Sequence, residues 1–363
     1  MYYRIADLTI FSQIPLPSFD AFSCEAVSPD VSVLVTDDPP PPGPDIRSGA
    51  FFHRQVEGGW FYHPVSGGSV GLIVDHDYSC LRLTGQRLSD PVRREAVWLI
   101  RIAVECRLVT RGYVSLHSAA LALGDQAYAF SGPSGIGKST RAAAWAEVLG
   151  GSLISGDRPL IGGKTLELFG VPWDGKEQCF RNVRYPLRVI CDIRRSGSCY
   201  IRKLSFDQKR RLLMRQCFLP MWDTDLALLQ MGNIMGLARQ AEIIRIFCGP
   251  SVKDAANIYN AIENKVYLEE ETDMVAKTGF VLRNIAGEYI LMPVNENITK
   301  FNGTLLMNGI SAFIWEKLQN PVSREDLIKA VLDEYDVDED TARADLDQLL
   351  ARLRELDVIE DDA

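Results

Sequence analysis

The chain has 363 residues, 47% hydrophobic and 24% charged, with a formal net charge of −9 at neutral pH. This is the composition of an ordinary folded protein with room for two or three domains at roughly 150 residues each, and an acidic chain without a concentrated Lys/Arg patch argues against a nucleic-acid partner. The eight cysteines, at 24, 80, 106, 179, 191, 199, 217 and 248, include no CxxC pair and no Cys/His grouping of zinc spacing, and no apolar stretch or basic N-terminal segment suggests a membrane span or signal peptide, so a cytoplasmic protein with reduced thiols is expected.

Residues 1–90 read as a β-rich region of short strands, such as Tyr2–Ile5, Val31–Val35 and Ser69–Val74. The run Pro39-Pro40-Pro41-Pro42-Gly43-Pro44 cannot enter a sheet and predicts an extended surface loop. A helix is expected from Asp90 to Arg111, with Val92, Ala96, Leu99, Ile100, Ala103 and Val104 near 3.6-residue spacing. It opens a core region, 91–265. Strands at Ser118–Leu123 and Ala127–Phe130, joined by a tight Gly124-Asp125 turn, lead into a glycine-rich loop. A helix over Lys138–Leu149, stopped by Gly150-Gly151, and a strand over Ser152–Ser155 follow. The region closes with a strand at Ile243–Cys248 and a helix opened by the capping-box variant Ser251-Val252-Lys253-Asp254.

Residues 266–276, with the acidic run Glu269-Glu270-Glu271-Thr272-Asp273, read as a linker to a small β-then-α domain over 277–363. A hairpin around Ala286-Gly287, a third strand at Ile298–Phe301 and three amphipathic helices are expected there. The last helix is the clearest, with Ala342, Leu346, Leu349, Leu350 and Leu353 on one face. The chain ends on acidic Glu360-Asp361-Asp362, and the basic groups Arg194-Arg195, Arg202-Lys203 and Lys209-Arg210-Arg211 read as solvated faces.

Chemistry concentrates in Gly132-Pro133-Ser134-Gly135-Ile136-Gly137-Lys138-Ser139, a full GxxxxGK[ST] match followed by Thr140. Its glycines let successive N–H groups turn toward phosphate oxygens, and the helix behind adds its positive dipole end. Residues 132–140 are therefore the expected nucleotide site, with Lys138 on the β/γ-phosphates and Ser139 as a magnesium ligand. Asp157, one strand further on, is placed to hold the same ion, directly or through water. ATP and magnesium are the cofactors this motif calls for.

A histidine, His117, ahead of a hairpin that carries the loop, followed by Ser155-Gly156-Asp157-Arg158, resembles the HPr kinase/phosphorylase family and the related phosphoenolpyruvate carboxykinase nucleotide fold. The stretches Leu116-His117-Ser118-Ala119 and Pro172-Trp173-Asp174-Gly175-Lys176-Glu177 resemble kinases of lasso-peptide and related peptide-modification pathways. The resemblance covers residues 1–265, most strongly 112–190, and implies an α/β kinase core. It departs from the family at Gly156, where two adjacent aspartates are usual, one for the metal and one as base. The base is thus open among Asp157, Glu177 and His117.

Residues 275–360 resemble the PqqD-like peptide-recognition domains of ribosomal peptide modification systems. The carriers include Gly279-Phe280-Val281-Leu282-Arg283, Glu288-Tyr289-Ile290-Leu291-Met292-Pro293-Val294, Phe301-Asn302-Gly303 and Ala312-Phe313-Ile314-Trp315-Glu316. This resemblance implies a winged-helix-like domain, a three-stranded sheet plus three helices, that takes the leader of a precursor peptide as an added strand. It assigns the edge to Ile298, Thr299, Lys300 and Phe301 and the groove wall to Leu346, Leu350 and Leu353. The fused chain then reads as a kinase for a Ser or Thr hydroxyl of a ribosomally made precursor peptide, and the kinase family's habits are compatible with a homo-oligomer. Two alternatives remain: a kinase for a small molecule or carrier protein, and a non-catalytic adaptor switched by nucleotide.

Overall fold

The computed structural model describes residues 1–65, 70–84, 90–162, 165–173, 179, 181–195, 199–248, 254–268, 273–285, 287–294 and 304–362, with the side chains of 90–94, 273, 361 and 362 left aside. The chain divides into two compact units, Met1–Leu268 and Glu269–Ala363. Among the described residues no helix is long and apolar enough to cross a membrane.

The first unit opens with β1 (Tyr2–Ile5), β2 (Leu8–Ser12), β3 (Val31–Thr36), β4 (Ile46–Ser48), β5 (Phe51–Val56), β6 (Gly59–Pro64), β7 (Gly71–Asp75) and β8 (Cys80–Thr84). They form one sheet in the order β1-β2-β3-β8-β7-β6-β5-β4, with β3 parallel to both its neighbours and β4 to β8 an antiparallel meander. Pro39–Pro44 has no regular structure and is largely exposed, as proline's missing N–H requires.

Helix α1 (Asp90–Val109) lies over this sheet: Ala96, Leu99, Ile100, Ala103 and Val104 share a core with Tyr62, Leu72, Val74 and Leu81. The same core takes in Leu160, Phe169, Val171 and Trp173. A boundary at 90/91 therefore does not separate two bodies, because the helix that was expected to open the second region supplies the apolar cover of the first. The side chain of Val92 lies outside the described residues.

The second sheet is built from β9 (Val114–Ser115), β10 (Ser118–Leu123), β11 (Gln126–Ser131), β12 (Ser152–Ser155), β13 (Leu160–Gly162), β14 (Glu167–Phe169), β15 (Arg184–Arg195), β16 (Tyr200–Lys203) and β17 (Ile243–Cys248). Its spine is the twelve-residue β15. The start of β15 pairs antiparallel with β14, and its second half runs parallel to β11 on one side and β17 on the other. The β10–β11 hairpin turns at Gly124-Asp125, with Leu123 opposite Gln126.

The two strands sort their side chains by the period of two. Ala120, Ala122, Ala127 and Ala129 face the core of α3 (Phe206–Gln216) and α4 (Thr224–Gln240). Leu121, Tyr128 and Phe130 face α2 (Lys138–Leu149) and α5 (Asp254–Glu263). The capping residues expected at Ser251–Lys253 lie outside the described residues.

In the second unit, β18 (Asp273–Ala276) pairs with β22 (Ile359–Asp362) and ties the two ends together. The expected linker thus stops short of Asp273. The hairpin β19 (Phe280–Ile285) and β20 (Glu288–Pro293) forms as expected, while Ile298–Phe301 lies outside the described residues and the third strand seen is β21 (Leu305–Met307). Helices α6 (Gly309–Lys317), α7 (Arg324–Glu334) and α8 (Glu339–Glu355) each begin at a capping side chain: Asn308, Ser323 and Asp338 accept from the N–H three residues on.

Trp145 of α2 is fully buried against Phe130, Tyr128 and Tyr259, with ring centroids 4.9, 6.0 and 6.2 Å away. Trp145→Ala should destabilise the first unit by about 3–5 kcal/mol, read from urea unfolding, because the cavity beneath the loop helix cannot close.

Candidate functional site

The glycine-rich loop leaves β11 at the carboxyl end of its strand, the place where open α/β sheets bind ligands. Gly137, at φ 103°, takes the turn into α2 in a backbone region that disfavours any side chain. Among the described residues no side chain caps α2, which leaves its first-turn amides available to an anion. Pro133, Ser134, Gly135 and Thr140 are exposed, Ile136, Gly137 and Ser139 half-buried, and Gly132 and Lys138 buried. The Lys138 ammonium donates to the carbonyls of Gly132 and Pro133, both at 3.1 Å. Burial lowers its pKa, with Asp157 opposing and Arg158 adding to the shift.

Three of the expected residues come together at the loop's mouth. Ser139 Oγ is 3.5 Å from the Gly156 carbonyl, at the limit of a hydrogen bond. Asp157 Oδ1 is buried and has no hydrogen-bond partner among the described residues. His117 Nε2 lies 3.9 Å from that oxygen, too far for a hydrogen bond. Burial, then the Lys138 charge, hold the His117 pKa below its ordinary 6.5, although Asp157 pulls upward. The net direction is down because burial, Lys138 and Arg158 together outweigh the Asp157 carboxylate and a hydrogen bond with Gln216. The imidazole is thus neutral at pH 7 and able to accept a proton.

A loosely held hydroxyl and an unsatisfied carboxylate oxygen suit a hard cation that takes few protein ligands and completes its shell with substrate oxygens and water. Among the described residues no group of three or more His, Cys, Asp and Glu could hold a metal unaided. Glu177 and Lys176 lie outside the described residues, so their part in this site is left to the sequence.

One acid at the loop was not anticipated. Asp192 is fully buried on β15, directly opposite Ser131, where the loop begins. Its Oδ2 pairs with Arg245 Nε at 2.9 Å and Arg194 Nη2 at 3.2 Å, while Oδ1 has no hydrogen-bond partner among the described residues. A Cβ placed on Gly132 would sit 3.7 Å from that Oδ1, so the free oxygen faces the loop's first residue. Arg194 therefore serves a buried acid instead of a solvated face. Arg195 Nη2 donates to the Gly135 carbonyl at 2.9 Å and holds the loop from outside. The available signal was an apolar run, Val189-Ile190-Cys191, ending in an acid.

In the second unit, β21 pairs with β20 on one side, and no strand covers its other side among the described residues. Beside that edge lies a cleft of about 580 Å³, walled by β21, the start of α6 and the side of α8 bearing Asp345, Leu349 and Arg352. Leu306 of β21 is 64% exposed at its rim. Leu346 lines the cleft, but Leu350 and Leu353 do not. They belong to the inner stripe Ala342-Leu346-Leu350-Leu353, buried in the unit's core. The wall is instead the neighbouring stripe, Asp345-Leu349-Arg352, at i, i+4, i+7.

Residues 288–359 match the family described as coenzyme PQQ synthesis protein D (PqqD). The second unit carries a PqqD domain. A solved structure of TbiB1 in complex with the TbiA(beta) leader peptide aligns at 22% identity over 24% of this chain and 98% of the other, with a TM-score of 0.21. A lasso peptide synthetase B1 complexed with its leader peptide aligns at 17% identity over 24% of this chain and 96% of the other, with the same TM-score of 0.21. No curated protein matches the chain.

Asp157 and Asp192 should separate on mutation. Asp192→Ala removes a fully buried carboxylate that two arginines pair with and should cost about 3–5 kcal/mol in urea unfolding of the first unit. Asp157→Ala removes an orphaned oxygen and should change stability by no more than about 0.5 kcal/mol.

Proposed function

We propose that this chain is an ATP- and magnesium-dependent kinase that phosphorylates a Ser or Thr hydroxyl of a ribosomally made precursor peptide, with the leader held by the PqqD domain. The observation that carries the reading is the union in one chain of a phosphate-binding type of loop, with Ser139, Asp157 and His117 at its mouth, and a PqqD domain whose β21 edge, uncovered among the described residues, lies beside a cleft of mixed apolar and charged lining. A peptide tethered by its leader meets the kinase site at an effective concentration reaching about millimolar for short flexible tethers.

In the transfer, the peptide hydroxyl oxygen forms a bond to the γ-phosphorus, the bond from that phosphorus to the β–γ bridging oxygen breaks, and ADP leaves. Lys138 and the first-turn amides of α2 stabilise negative charge on the phosphates. Magnesium, held by Ser139 and Asp157, would neutralise further phosphate charge. With Asp157 committed to the ion, neutral His117 takes the hydroxyl proton on Nε2. A single weak base suffices because phosphoryl transfer depends mainly on positioning and charge.

The leader joins β21 through main-chain hydrogen bonds and drops alternate apolar side chains against Leu306, Leu346 and Leu349. Gly156 in place of a second aspartate favours one other reading, an adaptor that binds nucleotide and peptide without transferring phosphate.

Incubation of the precursor peptide encoded beside this gene with protein, ATP and magnesium should add one phosphate by intact mass. Lys138→Ala should abolish the addition, and deleting the leader should lower kcat/KM by about 100-fold or more. Peptide binding without phosphate gain would establish the adaptor instead. Activity should fall as pH drops through a midpoint below 6.5, where His117 becomes protonated, and His117→Asn should be slower and lose that acid limb.

A further inference from the structure

Helix α4 is apolar on two opposite sides. Its inner side, through Leu226, Ile234 and Leu237, is buried against α1, α3 and β9. Its outer side carries Leu228 and Leu229, 62% and 45% exposed, with Met221 at 68% just ahead of the helix. Single exposed leucines are ordinary on a protein surface, but here they share a stripe with two helical glycines. A Cβ on Gly232 would meet nothing within 4 Å, and one on Gly236 would meet only the end of Gln240 at 3.8 Å. Packing among the described residues requires neither glycine, and each weakens the helix relative to alanine. Glycines in this position allow another backbone to approach closely.

The outer stripe is symmetric about Gly232. Asp225 and Arg239 stand seven residues to either side, Leu228 and Gly236 four, Leu229 and Met235 three. At about 100° per residue, all of them project within roughly 60° of Gly232, diametrically opposite the buried side. Asp225 and Arg239 are both exposed, and the Arg239 guanidinium is steadied 5.6 Å over the Phe206 ring.

We propose that two copies of this chain pair antiparallel through α4 about a two-fold axis at Gly232. Leu228 fills the notch left by the partner subunit's Gly236, Leu229 packs on the partner subunit's Met235, and Asp225 meets the partner subunit's Arg239 at each end. The occupant is a second copy because the pattern is complementary to itself: knob to notch and acid to base are exchanged by the same rotation, which is the requirement of an isologous contact. One helix pair is a small interface, so association in the micromolar range is expected.

Sedimentation of the full-length protein should show a monomer–dimer equilibrium, and Leu228→Glu should be monomeric with an unchanged melting temperature. Asp225→Arg and Arg239→Asp should each weaken the dimer about tenfold, and the double exchange should restore it. In a Cys199→Ser background, which removes the exposed free cysteine, Gly232→Cys should give a disulfide-linked dimer under mild oxidation that Cys199→Ser alone does not form, because only a residue on the axis meets its own copy. A protein that stays monomeric up to about 1 mM, well above the range set by interface size, would overturn the proposal. So would a dimer that survives Leu228→Glu, or a charge exchange that does not restore association.

Discussion

Burial of the β10–β11 hairpin on both faces is the constraint on which the rest of the first unit depends. Its alanine face and its aromatic face each meet a helical layer, so the strands can neither slip by one residue nor turn over without exposing Tyr128 and Phe130. The loop leaving Ser131 is therefore delivered at a fixed height and angle. Trp145, packed on Phe130, fixes the helix that receives it. The glycine-rich loop needs conformational freedom only over a few residues because both its ends are anchored in core.

The polar side of the same argument runs through β15. Its parallel pairing with β11 brings Asp192 under the loop, and two arginines make burial of that carboxylate tolerable. Asp157 has no hydrogen-bonded arginine among the described residues, only His117 at 3.9 Å and the Lys138 charge nearby. A carboxylate oxygen without a partner beside a neutral histidine and a buried lysine is costly unless something else satisfies it. The two acids differ in that one oxygen of Asp192 is paired with two arginines, while the second oxygen of Asp192 and Oδ1 of Asp157 have no hydrogen-bond partner among the described residues.

The second unit works by a different economy of contacts. Its small core is closed by the pairing of its two ends, β18 with β22, and by capped helices that orphan few backbone groups. Among the described residues the β21 edge is uncovered, next to a helix side that alternates Leu349 with charged Asp345 and Arg352. An open edge is ordinarily a liability for aggregation, and on the proposed reading it is the surface that a leader strand covers.

Local pattern in the sequence determined the elements whose geometry is set within a few residues: the Gly124-Asp125 hairpin, the loop with its helix over Lys138–Leu149, the strand ending before Asp157, and the buried stripe of α8. Turn chemistry and side-chain period act over that range, so they are legible without the fold. Tertiary structure alone decided what depends on partners far away in the chain. It gave α1 to the first sheet, made a strand of the acidic Ile359–Asp362 through pairing with β18, and turned Leu350 and Leu353 inward while Leu349 faced the cleft. It also set Asp192 beneath Gly132, because parallel pairing joins residues 61 positions apart, Ser131 with Asp192, and no local pattern records which strand will lie beside which.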